Sequence, residues 1–75
     1  MNAYELFDAA FDSANDQRES TAAYVKQYAD GAFDLVISDE VAEIIAAAKR
    51  EFDANGDGSN DFYHMVRAPL EEIEL

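Results

Sequence analysis

An all-α fold, a small bundle of three to four short helices, is what this sequence predicts, and three observations carry the expectation. Val41, Ile44, Ile45, Ala48 and Phe52 recur at i, i+3, i+4, i+7 and i+11, the spacing that lines one side of a helix. Tyr4, Leu6, Phe7, Ala10, Phe11 and Ala14 line one side of a second helical segment near the N-terminus. Residues suited to cap a helix start stand ahead of the helical segments: Asn2, then Ser20 or Thr21, then Ser38.

In chain order, the first helix is expected from about Ala3 to Gln17. The second runs from Ala22 to Ala29, with Tyr24, Val25, Tyr28, Ala29 and Ala32 on its apolar side and Gly31 as its stop. Residues 33–37, Phe-Asp-Leu-Val-Ile, read equally as a short extended strand or a buried linker. The third helix follows Ser38. Asp39 and Glu40 occupy its first turn and Lys49 and Arg50 its last turns, each sign where the helix dipole favours it. Asn55-Gly56-Asp57-Gly58-Ser59-Asn60 then breaks the chain. Phe62, Met65 and Val66 suggest a fourth helix from near Asn60 or Asp61, with a strand through 62–67 as the alternative. Pro69 ends that helix or opens a last turn containing Leu70, Ile73 and Leu75. Phe11, Ile44, Ile45 and Phe52 are the expected core, with Tyr24 and Tyr28 beside them.

Seventy-five residues make one domain, 1–75. A chain of this size buries only about 60–65% of its extended surface. Cysteine is absent, so tight helix packing, a bound ion or a homodimer are the available props. An apolar fraction of 49%, including five Phe and four Tyr, is enough for a real core. There is no apolar run of membrane-spanning length, and the N-terminus lacks the basic start and apolar block of a signal peptide. A cytoplasmic protein is the expectation.

Seventeen acidic against five basic residues leave a net charge of −12. Nucleic acid and anionic membrane both require Lys/Arg to neutralise phosphate, so neither is an expected direct partner. A basic protein is. Salt adaptation or plain solubility would produce the same excess without any partner.

The acid is also patterned. Glu5, Asp8, Asp12, Asp16 and Glu19 fall within about 80° of one another on a helical wheel, opposite the apolar side, with Arg18 as the nearby cation. Solvated helix faces usually mix signs, because like charges at i,i+4 are mildly destabilising. Glu40 and Glu43 on the third helix are further candidates for the same partner. On an ideal helix the stripe carboxylates step by about 4.5–6 Å along the axis, comparable with the roughly 3.4 Å axial step of phosphates in one DNA strand. In type, a small, acidic chain without chemistry resembles the phage-encoded DNA-mimic inhibitors of restriction or CRISPR effector complexes. That resemblance rests on no motif. It implies a protein that covers a basic, nucleic-acid-binding groove and blocks it.

A second resemblance is local. Asp53-Ala54-Asn55-Gly56-Asp57-Gly58-Ser59-Asn60-Asp61 is similar to the first nine positions of an EF-hand or dockerin calcium loop. Asp53, Asn55, Asp57, Ser59 and Asp61 stand where such loops place oxygen ligands, and Gly58 where they turn sharply. Position 8 is Asn60 instead of an aliphatic, and position 12 is His64 instead of the bidentate Glu. The resemblance therefore implies a weak Ca²⁺ module as the alternative function. An enzyme is not expected: His64 is the single histidine, there is no thiol, and Ser13, Ser20, Ser38 and Ser59 read as caps or turns.

Overall fold

The computed structural model describes residues 1–11, 21–54 and 63–75. Asp12, Asp16 and Glu19 of the acidic stripe and Asn55, Asp57, Ser59 and Asp61 of the loop lie outside the described residues. So does the second half of the first expected helix.

Helix α1 (Ala3–Phe11) opens on a reciprocal cap. The Asn2 side-chain oxygen accepts the Glu5 N–H at 2.9 Å, and the Glu5 carboxylate accepts the Asn2 N–H at 2.8 Å. Two N–H groups that a helix start leaves without partners are thereby satisfied.

Helix α2 (Ala22–Phe33) begins where Thr21 Oγ1 accepts the Tyr24 N–H at 3.2 Å. It does not stop at Gly31. The helix continues through that glycine for another half turn and ends at Asp34, which adopts left-handed backbone at φ 53°, ψ 41°. The Asp34 N–H donates to Asp30 O and the Leu35 N–H to Ala29 O, each at 3.1 Å. Glycine permits a left-handed cap but does not compel one. Aspartate is among the few other residues that visit this region routinely. The Phe33 ring, edge-on to Tyr28 at 6.0 Å, packs the added turn down.

Residues 34–38 form a linker without regular structure, and the described residues contain no strand. Ile37 turns into the core, whereas Val36 is 86% exposed. Helix α3 (Asp39–Ala54) follows, its start capped by Ser38 Oγ accepting the Val41 N–H at 3.1 Å. Ala42, Ile45 and Ala46 are the residues it buries completely. Ile44, expected in the core, is 41% exposed, and Phe52 and Phe11 are half-buried at the core's edge. Ala42 and Ala46 lie one turn apart and allow close backbone approach to the neighbouring helices. The helix is therefore rotated toward its alanines, away from the centre of its large-residue stripe.

The last segment is helical, not extended. A π-helical turn, Tyr63–Arg67, runs into the short helix α4 (Ala68–Glu71), near whose start Pro69 sits. Proline has no N–H to offer the preceding turn, which favours the wider winding just ahead of it. Val66 and Leu70 are buried. The chain then returns to its beginning: the Ala3 N–H donates to Ile73 O at 2.8 Å and the Leu75 N–H to Met1 O at 2.9 Å.

The core draws Leu6 and Phe7 from α1, Val25 and Ala29 from α2, Ile45 and the two alanines from α3, and Val66 and Leu70 from the C-terminal segment. Along the α1–α2 side, Tyr4, Phe7, Phe11, Tyr24, Tyr28 and Phe33 form a continuous row of rings, successive centroids 5.5–6.2 Å apart. The Tyr24 hydroxyl donates to Ala10 O at 3.1 Å and ties the two helices together. No polar side chain among the described residues is buried, so the charges all reach water.

Candidate protein-docking surface

Charge on this surface is divided unevenly between paired and unpaired groups. The four described basic side chains each meet a carboxylate of the same chain: Lys26 with Asp39, Lys49 with Asp53, Arg50 with Glu43 and Arg67 with Glu71. Asp8, Asp30, Asp34, Glu40 and Glu72 are exposed and form no ion pair among the described residues. Among the described residues each Lys and Arg is thus matched locally, and the exposed carboxylates left over are negative.

The candidates from the sequence separate into three groups. Glu5 and Asp8 are both exposed on α1, but Glu5 is engaged in the helix cap. Asp8 is left as the described member of the stripe that faces solvent without a partner. Glu40 is exposed in the first turn of α3, whereas Glu43 is bound to Arg50. Asp12, Asp16 and Glu19 lie outside the described residues. The structure adds Asp30 and Asp34 at the C-terminal end of α2, where the helix dipole disfavours anions, and Glu72 after α4. Asp30 and Asp34 stand four residues apart at one helix end and Glu72 belongs to another element, so no stripe marks the three together.

The Lys26–Asp39 pair links α2 to α3. The Lys26 ammonium, first by hydrogen bonding and then by its charge, holds the Asp39 carboxyl below the usual carboxylate range.

Asp53, the first position of the calcium-like loop, is committed elsewhere. Both its oxygens accept from Lys49 Nζ at 2.7 Å, and the lysine side chain is only 18% exposed, its ammonium 5.5 Å from the centre of the Phe11 ring. A cation at this carboxylate would have to displace that ammonium. His64 is exposed in the π-helical turn. Among the described residues no three His, Asp or Glu side chains converge as a metal site.

A depression of a different kind lies between α3 and the C-terminal segment. Ile44, Ala47, Ala48 and Glu51 line one wall, and Val66, Pro69 and Leu70 the other, enclosing about 210 Å³. Val66 and Leu70 form a buried floor, while Ile44, Glu51 and Pro69 are exposed. The signal in the sequence was the spacing Glu40, Ile44, Ala47, Ala48, Glu51 (i, i+4, i+7, i+8, i+11), an apolar strip with a carboxylate at each end.

No helix among the described residues is long and apolar enough to cross a membrane. No family model, curated protein or solved structure matches the chain.

Proposed function

We propose that this chain is an acidic binding protein that docks an anionic face on a basic, nucleic-acid-binding protein and blocks it, in the manner of DNA-mimic inhibitors of restriction or CRISPR effector complexes. It works by occupancy and not by catalysis, in the cytoplasm, which is the host's if the chain is phage-encoded. One observation carries the reading: each described Lys and Arg is paired within the chain, while Asp8, Asp30, Asp34, Glu40 and Glu72 stand exposed with no ion pair among the described residues. Such a surface attracts a basic groove from a distance and repels phosphate.

The test is charge reversal. A partner is recovered from host extract by its elution between low and high salt, and its affinity for the Asp8→Lys, Asp12→Lys, Asp16→Lys triple variant is compared with the parent. Like charges brought against a basic face cost several kcal/mol, so binding should weaken more than tenfold. The melting temperature should hold, since Asp8 is exposed and the change relieves repulsion along the helix. A folded variant with unchanged affinity would make the acid stripe a solubility feature.

A further inference from the structure

The depression between α3 and α4 is too small for a cofactor and too apolar for an ion. Ligand pockets for drug-sized molecules run from about 300 to 1,000 Å³, and this one encloses about 210 Å³, room for a few aliphatic side chains. Its position explains why it is open. The middle of the α3 wall is built of Ala47 and Ala48, whose side chains are single methyl groups. Ile44 stands at the rim with 41% of its surface in water.

From this geometry we infer that the α3–α4 groove receives the apolar side chains of a basic amphipathic helix supplied by the partner protein. The inference rests on the basic-partner reading above and specifies how that partner is held. Two observations select this occupant. One carboxylate, Glu51, lines the groove, and a second, Glu40, lies one turn before Ile44 on the same helix face. Those charges complement Lys or Arg flanking an apolar strip, and they oppose an acidic peptide or an anionic lipid surface. A second copy of this chain is disfavoured, since it would bring another net charge of −12 against the same rim.

The backbone of the guest follows from the walls. An extended peptide needs a free sheet edge to pair with, and the described residues have none. A polyproline helix needs an aromatic-lined groove, whereas this lining is aliphatic. A trough between two helices, its α3 wall lined at i, i+3, i+4 and i+7 by Ile44, Ala47, Ala48 and Glu51, suits a helix laid along it. From Ile44 to Glu51 the trough spans about 10 Å, two helical turns. The rim carboxylates set orientation and arrival, and the apolar floor supplies the contact that survives salt.

The probe is a synthetic amphipathic peptide with one leucine face and one lysine face, titrated into the full ¹⁵N-labelled chain. A control peptide carries serine for every leucine and keeps the lysines. The expected result is that the leucine peptide shifts the amides of Ile44, Ala47, Ala48, Val66 and Leu70, and still binds at a salt concentration that releases the serine peptide. Ile44→Asn leaves the net charge unchanged and removes the apolar rim. It should weaken the leucine peptide at least tenfold and leave the serine peptide as it was. Ala47→Leu, which fills the trough from within and provides a second test should Ile44→Asn not fold, should do the same. Equal binding of the two peptides, or shifts gathered at Asp8, Asp30 and Asp34 alone, would overturn the groove and leave the basic-partner reading standing. Absence of leucine-peptide binding at low salt would also overturn the groove. The charge-reversal variant, measured on the recovered partner, judges the broader reading separately.

Discussion

Two seams of this small domain are built from apolar residues, yet one carries a row of aromatic rings and the other an open trough. Between α1 and α2, ring follows ring from Tyr4 to Phe33, and a hydroxyl bridges the helices from Tyr24 to Ala10. Between α3 and α4 the facing residues are Ala47, Ala48, Val66, Pro69 and Leu70, and a trough remains. Both are apolar; side-chain volume separates them. Aromatic side chains each cover a large area and interlock edge to face, whereas alanine stops one carbon beyond the backbone. A domain of this size has few large residues to distribute. Their concentration on one seam leaves the other open.

The comparison breaks most visibly on truncation. Phe7, 6% exposed within the ring row, should lose about 3–5 kcal/mol on replacement by Ala, comparable with the whole stability of a domain this small. Ile44→Ala at the open seam should cost less than about 1 kcal/mol, because that side chain is already 41% in water. Urea unfolding of both variants gives the ratio directly. Similar losses would mean that the trough is as tightly packed as the ring row.

A smaller effect asks whether rings alone hold the α1–α2 seam together. Tyr24→Phe keeps the ring and removes the donor to Ala10 O, and should cost about 1 kcal/mol. An unchanged urea midpoint would assign the seam to ring packing only.

Helix α2, which carries the end of the ring row, can be sharpened at its terminus. Gly31 is exposed within the helix, with nothing within 4 Å of an added methyl. Gly31→Ala should stabilise by about 0.5–1 kcal/mol, a rise of a few degrees in melting temperature. Asp34→Gly should help by a similar amount by accommodating the left-handed backbone. If Gly31→Ala is instead destabilising, α2 does not continue through position 31.

The smallest expected effect concerns the Lys26–Asp39 link between α2 and α3. The Asp39 carboxyl titrates lower in the folded chain than in the unfolded one. Its contribution is therefore fully present above the unfolded carboxylate value near pH 4 and is lost as pH falls through the folded value. Melting temperatures of the parent and Lys26→Gln, measured from pH 7 to pH 3, should differ at neutral pH and converge in acid. Salt should narrow the difference as well, since both side chains are substantially exposed.

Much of the fold was legible along the chain because helix starts are local chemistry. Asn2, Thr21 and Ser38 cap the helices they were expected to cap, since a short polar side chain needs only an N–H three residues ahead. Of the acidic stripe, Glu5 and Asp8 are exposed, as their place opposite Leu6 and Phe7 implied. The Glu5 role in the cap was readable too, from its position three residues after Asn2. The groove was harder to see. Its α3 wall has a regular spacing, but its floor and second wall come from Val66, Pro69 and Leu70, which sequence distance alone does not place opposite Ile44.

The sequence by itself determined that the chain is helical, where α1, α2 and α3 begin, and that its surface carries an excess of acid. These follow from hydrogen bonds three or four residues long and from composition, neither of which needs a neighbour. Tertiary structure decided the rest. Gly31 stays helical because packing of Phe33 on Tyr28 carries α2 on to Asp34, although glycine would allow an earlier stop. Ile45 lies at the centre of the core and Ile44 at its rim because α3 lays Ala42 and Ala46 against its neighbours, where small residues allow the closest approach. The Lys26–Asp39 pair was decided in the same way, since it forms only when α2 and α3 are brought side by side, whereas Lys49–Asp53, Arg50–Glu43 and Arg67–Glu71 are local to one segment. A residue's propensity is its own, but its neighbours across the core are assigned by the fold.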